Sequence, residues 1–247
     1  MDPIASGFLA SLAAGLATGV GALPALIIRG RSERALDAML GFAAGVMVAA
    51  ATFGLLAPAL RAGGVWMGVF GFLAGAALLD LANLMIPHPH WIRGAEGPVS
   101  QLRRIRLLIL VMVIHNIPEG LSVGVSFGQE RLSSGIALAI GIGLQNIPEG
   151  LAVAFPLIRE GYSRSRAVCY ATLTGLVEPV AGLFGAILVT VAKALLPLGL
   201  AFAAGAMLYV VLQEMIPESR SRGHQRDATF GAMLGFLIMI LLDYLLS

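Results

Sequence analysis

Apolar stretches of roughly 20 residues recur along this chain from one end to the other, and each is long enough to cross a hydrocarbon core about 30 Å thick. Their limits predict eight spans, at 4–28, 35–58, 64–86, 107–127, 132–158, 167–191, 194–216 and 228–246. Only short gaps separate them, so the expected fold class is an all-α polytopic membrane protein, one domain over residues 1–247 with the lipid bilayer as its surroundings. Composition agrees: 58% of the 247 residues are hydrophobic and 12% charged, against roughly half and a quarter in soluble domains. The first span begins "MDPIAS", has no basic n-region and is too long for a signal peptide, so it reads as a retained helix. The lone Cys169 excludes an intrachain disulfide.

Arginine sets the orientation. The gaps after spans 1, 3, 5 and 7 hold 13 of the 16 Lys and Arg residues, and the alternate gaps hold only Arg61, Arg131 and Lys193. By the positive-inside rule the Arg-rich ends are cytoplasmic and both termini lie outside. The sequence pI near 9.0 therefore reports topology, and no nucleic-acid partner is expected.

Two echoes suggest an internal repeat. "FAAGVM" at 42–47 returns as "FAAGAM" at 202–207, and "GFLAGAALLD" at 71–80 returns as "GFLIMILLD" at 235–243. On the expected topology each pair runs in opposite senses, which makes helices 1–3 and 6–8 an inverted repeat around a central pair, 4–5. Inverted repeats place a substrate near the midplane at the repeat interface.

The central pair carries the chemistry. "NIPEGL" occurs at 116–121 and again at 146–151, preceded by His115 in the first copy and Gln145 in the second. Residues three and four apart share a helix face, so His115 and Asn116 accompany Glu119, and Gln145 and Asn146 accompany Glu149. Ser122 and Ser126 extend the first stripe. Counted from the nearest Arg-rich ends, Glu119, Glu149 and Glu178 come out at roughly the same depth, about 15–20 Å in. An acidic residue at a helix centre costs about 2.5–3.5 kcal/mol to insert, and no Lys or Arg stands at that depth to neutralise three of them. The missing positive charge is then the substrate. Pro118, Pro148 and Pro179 free the carbonyls of Ile114, Leu144 and Gly175, a feature tolerated where backbone lines a cavity. One imidazole with carboxylates and amide oxygens, and no thiolate, suits Zn2+, Fe2+ or Mn2+. Two adjacent ions bridged by Glu119 and Glu149 would fit.

At these residues the chain resembles the ZIP (Zrt/Irt-like protein) divalent metal transporters, in particular the bacterial GufA-like branch, whose helices 4 and 5 carry such paired motifs. The resemblance runs over nearly the whole chain. It implies transport of a divalent metal into the cytoplasm, by an elevator-like or rocking movement, through a bacterial inner membrane, often as a homodimer. It implies one site of His115, Glu119, Gln145 and Glu149, and a second of Asn116, Asn146 and Glu178 that shares Glu119 and Glu149. Many relatives have a histidine at Gln145 and some a carboxylate at Asn146, so broader divalent specificity is expected here. Cadmium then joins zinc, iron and manganese as a candidate substrate.

Around this centre, Glu214 with Gln213 reads as an exit-side ligand or a snorkelling helix-end charge, and Asp243 as an entrance carboxylate or a solvated acid. Asp80, His88 and His90 sit toward the inner end as a relay or as plain polar groups, and His224, among arginines, reads as a solvated loop residue. A passive metal channel and a metal-sensing membrane protein are the competing functions. An enzyme is not expected: there is no H-E-x-x-H pair, and the metal is cargo rather than cofactor.

Overall fold

A computed structural model of the chain describes residues 2–28, 32–85, 101–129 and 131–246. Every regular element among them is helical: α1 (Pro3–Ala22), α2 (Glu33–Ala49), α3 (Ala57–Met85), α4 (Gln101–Ser126), α5 (Leu132–Arg159), α6 (Arg164–Gly175), α7 (Val177–Val191), α8 (Leu196–Val210), α9 (Ile216–Ser219) and α10 (Gln225–Leu246). Seven helical stretches among the described residues are long and apolar enough to cross a membrane. One of them, Glu33–Leu84, is 52 residues long and takes in the segment expected at 35–58 and all but the last two residues of that expected at 64–86. Gly64 interrupts its helical backbone with φ 75 and ψ 173, values that glycine adopts without strain. The turn at Gly64, inside α3, is so short that the helical stretch runs on through it, and the count is seven where the hydropathy pattern predicts eight.

Local chemistry sets several ends. Asp2 accepts a hydrogen bond from the Ile4 N–H ahead of Pro3, and Ser32 caps α2 by accepting from the Ala35 N–H. Arg164 donates to the carbonyls of Ala25 and Ile28 at 2.7 Å each, closing the frayed end beyond α1. The stretch expected as one span at 167–191 breaks at Leu176 (ψ −1), between α6 and α7. Pro179 has no N–H to return to the Gly175 carbonyl, and Glu178 falls in the first turn of α7, where the helix dipole favours an anion. Turns of π-helix continue α2 (Ala50–Leu56) and α8 (Val211–Met215).

The helices pack in two groups. α1 lies against α5, α6 and α7, with α4 against α7; α2 pairs with α10, and α3 with α8. Glycines make these contacts close, as small residues do between membrane helices. The closest ones recur at a fixed offset. Gly75 faces the Phe202 carbonyl and Ala206 N, as Gly235 faces the Phe42 carbonyl and Val46 N; Gly205 faces the Phe72 carbonyl, as Gly45 faces that of Ala232. All of these correspondences shift by 160 residues. Gly15 and Gly175, also 160 apart, each face the other's carbonyl. The contacts make Gly75 the counterpart of Gly235, whereas the sequence echo aligns Gly71 with Gly235, one helical turn earlier. Outside, α3 and α10 expose Trp66, Phe70, Leu73, Phe230, Leu237 and Leu241, an exterior suited to hydrocarbon rather than water.

Candidate metal centre

α4 and α5 bring the two repeated motifs face to face. His115 and Glu119 are one turn apart on α4, Gln145 and Glu149 one turn apart on α5, and all four are buried. The contacts between the helices are crossed: His115 Nε2 lies 2.9 Å from Glu149 Oε1, and Gln145 Nε2 donates to Glu119 Oε1 at 2.6 Å. Each contact is the other with 30 residues added or subtracted. Glu119 Oε1 stands 3.6 Å from His115 Nε2. His115, Glu119 and Glu149 thus each offer a ligand atom, all within 4.8 Å of one another.

A second set of polar groups continues from this one toward α7. The Gln145 amide also donates to Asn146 Oδ1 at 2.6 Å, and Asn146 Nδ2 donates to Glu178 Oε1 and to the Ala14 carbonyl, both at 2.7 Å. Three glycines allow this approach: a Cβ on Gly120 would lie 2.2 Å from the Glu178 carbonyl, one on Gly150 2.0 Å from that of Thr18, and one on Gly21 2.1 Å from that of Ile147.

What the protein leaves unpaired here is informative. Both amide atoms of Asn116, Glu119 Oε2, Gln145 Oε1, Glu149 Oε2 and Glu178 Oε2 are buried with no hydrogen-bond partner among the described residues. Burying such groups unsatisfied is costly, and so many in one place fit a cation as the absent partner. One imidazole nitrogen with carboxylate and amide oxygens is a borderline-hard donor set of the kind zinc and its neighbours accept.

A family model described as ZIP Zinc transporter matches residues 93–243. The chain belongs to the ZIP family. It is 43% identical over 248 residues to zinc transporter GufA of Myxococcus xanthus, covering 96% of this chain and 98% of that protein. Zinc transporter ZIPB of Bordetella bronchiseptica is 40% identical, with 92% of this chain and 77% of that one covered. Human zinc transporter ZIP11 is 36% identical, with 92% and 93% covered.

In this ZIP-family chain the outlying residues named from sequence divide. Glu214 joins the centre: its Oε2 lies 3.3 Å from His115 Nδ1. Its neighbour Gln213 is exposed instead. Ser122 is buried on the same helix, but its hydroxyl donates to the Glu119 backbone carbonyl at 2.7 Å, an i−3 contact that any helical serine can make. Asp80 stands apart and accepts from the Tyr209 hydroxyl at 2.8 Å, with Asn83 donating to the same hydroxyl. Asp243 lines a cavity of about 660 Å³ with Arg61, Gln129, Arg131 and Ser134. A second cavity, of about 570 Å³, reaches His115, Glu149 and Glu214 from the Arg-rich end, past Arg159, Glu160, Glu218 and Arg222. His88 and His90 lie outside the described residues. Sequence reasoning missed Thr18, whose buried hydroxyl has no partner among the described residues and lies against Gly175, and the Ala14 carbonyl. A hydroxyl in mid-span was the only signal for Thr18; a backbone oxygen leaves none.

Proposed function

We propose that this chain carries divalent transition metals, zinc foremost and then iron, manganese or cadmium, into the cytoplasm by alternating access. The observation that carries the reading is the buried His115, Glu119 and Glu149 group, whose ligand atoms converge within 4.8 Å. The names of the relatives, zinc transporters from bacteria and human, support zinc as substrate. One ion would bind at His115, Glu119, Gln145 and Glu149. A second would take Asn116, Asn146 and Glu178, whose unpaired atoms adjoin the first set, with Glu119 and Glu149 bridging.

In this reading residues 1–247 form one transport domain of eight spans, the 52-residue stretch counting twice with its turn at Gly64. Helices 1–3 and 6–8 are inverted repeats about the central pair, a reading supported by close contacts that recur at the 160-residue offset. The Arg-rich ends face the cytoplasm of a bacterial cell, both termini face outward, and the 570 Å³ cavity is the exit.

The test is uptake into proteoliposomes of Zn2+, Fe2+, Mn2+, Cd2+ and Mg2+ by wild type and Glu149→Ala. Saturable transition-metal flux, lost in the variant at normal yield and folding, is the expected result. Absence of flux for every ion while wild type still binds metal would overturn the carrier and favour a sensor.

A further inference from the structure

The cavity that reaches the metal centre from the Arg-rich end is lined by two arginines, Arg159 and Arg222. Arg222 lines it beside Glu218, four residues beyond Glu214. It follows α9 in the turn, where its Nη1 donates to the Glu218 carbonyl at 3.1 Å and to Asp37 Oδ1 at 2.9 Å. Its Nη2 donates to the Glu218 carboxylate. Asp37, on α2, is fully buried and also accepts from the His224 backbone N–H at 3.3 Å. The His224 imidazole Nδ1 lies 3.4 Å from Asp37 Oδ2, so His224 packs on this ion pair rather than standing free in a solvated loop. Burial alone would lower the Arg222 pKa; the Glu218 and Asp37 carboxylates raise it above its ordinary value, and the guanidinium stays charged.

The carboxylates lining this cavity are Glu149, Glu160, Glu214 and Glu218, of which Glu149 and Glu214 are in reach of His115. A divalent ion crossing such a series would be held at each step, and permeation requires sites weak enough to leave. We propose that Arg222 is a resident counter-cation in this cavity: held from behind by the buried Asp37, it occupies Glu218, so that metal released from Glu214 meets no free carboxylate there. The inference rests on the exit assigned to this cavity under the proposed function. Arg222 suits the role because its planar fork engages two carboxylates and it cannot lose its charge.

The experiment compares wild type, Arg222→Gln, Glu218→Gln/Arg222→Gln and Glu149→Ala, as full-length protein. Zinc bound at equilibrium is measured in detergent and zinc flux in proteoliposomes. Arg222→Gln should hold one more zinc per chain than wild type and turn over roughly tenfold more slowly, the scale of one added charged contact. Adding Glu218→Gln should reverse both effects. Wild-type stoichiometry and turnover in Arg222→Gln would overturn the counter-cation, as would a defect that Glu218→Gln does not relieve. A wild type without zinc flux would instead overturn the transport reading itself. Should Arg222→Gln fail to fold because Asp37 is stranded, Asp37→Asn/Arg222→Gln with and without Glu218→Gln repeats the comparison.

Discussion

Gly120→Ala adds a single methyl group where the helices leave no room for one. Its Cβ would stand 2.2 Å from the Glu178 carbonyl oxygen, 2.6 Å from the Glu178 Cα and 2.7 Å from its carbonyl carbon, where ordinary contact begins at 3.4 Å. All three neighbours are backbone, so no side chain can swing aside, and α7 must retreat from α4 by about 1 Å to restore contact distance. The Asn146 to Glu178 hydrogen bond, now 2.7 Å, would then pass beyond bonding reach. Overpacking costs about 1–3 kcal/mol and a lost hydrogen bond to a charged group about 1.5–3. Alanine's better helix propensity returns about 1, leaving a net loss of about 2–5 kcal/mol. Gly143→Ala is the matched control on α5, because its Cβ would meet only the Ala14 Cα, at 3.8 Å. Unfolding in detergent and equilibrium zinc binding should show Gly120→Ala destabilised and deficient in zinc held through Glu178, with Gly143→Ala equal to wild type or slightly more stable. Equal stability and equal zinc in the two variants would refute the claim that this α4–α7 contact positions Glu178.

Asp37→Asn should cost about 3 kcal/mol, the lower end for breaking a buried ion pair, because Glu218 still holds Arg222; a melting temperature matching wild type would count against the pairing. Gln145→His should lower the zinc KM and also turnover, since an imidazole is a stronger zinc ligand than an amide oxygen. Competition of zinc against manganese in the uptake assay checks this, and unchanged selectivity would place Gln145 outside the ligand set.

Much of this arrangement is legible in the chain because its signals are local. The helices follow from long apolar runs, and the face shared by His115 and Glu119 follows from their spacing. Sequence spacing does not say which group meets which across two helices. That His115 meets Glu149 while Gln145 meets Glu119 depends on how α4 and α5 lie against each other, which the spacing within either helix does not encode. Glu214 was an ambiguous helix-end acid until the π-helical turn at Val211–Met215 and the packing of α8 against α4 brought it to His115. Arg222 counted only as one more positive charge at an Arg-rich end. Its partner Asp37 lies 185 residues away, beyond the reach of any periodicity. The echo between the third and last helices aligns Gly71 with Gly235, and the close contacts match Gly75 with Gly235 instead, because glycine and alanine runs match themselves equally well at neighbouring turns.

Symmetry in the packing and asymmetry in the side chains bear on different parts of the function. The contacts Gly150 to Thr18 and Gly120 to Glu178 correspond: the two glycines are 30 residues apart, as are Gln145 and His115 or Asn146 and Asn116, and Thr18 and Glu178 are 160 apart, the offset found among the glycine contacts. A pair of half-sites built alike would bind metal equally from either direction. The chain departs from that at two corresponding positions: His115 is an imidazole where its counterpart Gln145 is an amide, and Glu178 is a carboxylate where its counterpart Thr18 is a hydroxyl. The imidazole is also the group that touches Glu214, in the cavity that opens toward the Arg-rich end. The stronger ligand of the symmetric pair is thus the one connected to the Arg-rich end, while the extra carboxylate lies on the side of α7. On the proposed transport reading, a bound ion has a path from shared carboxylates to His115 and on to Glu214. On that reading, polarity comes from these few differences between corresponding positions rather than from the repeated frame.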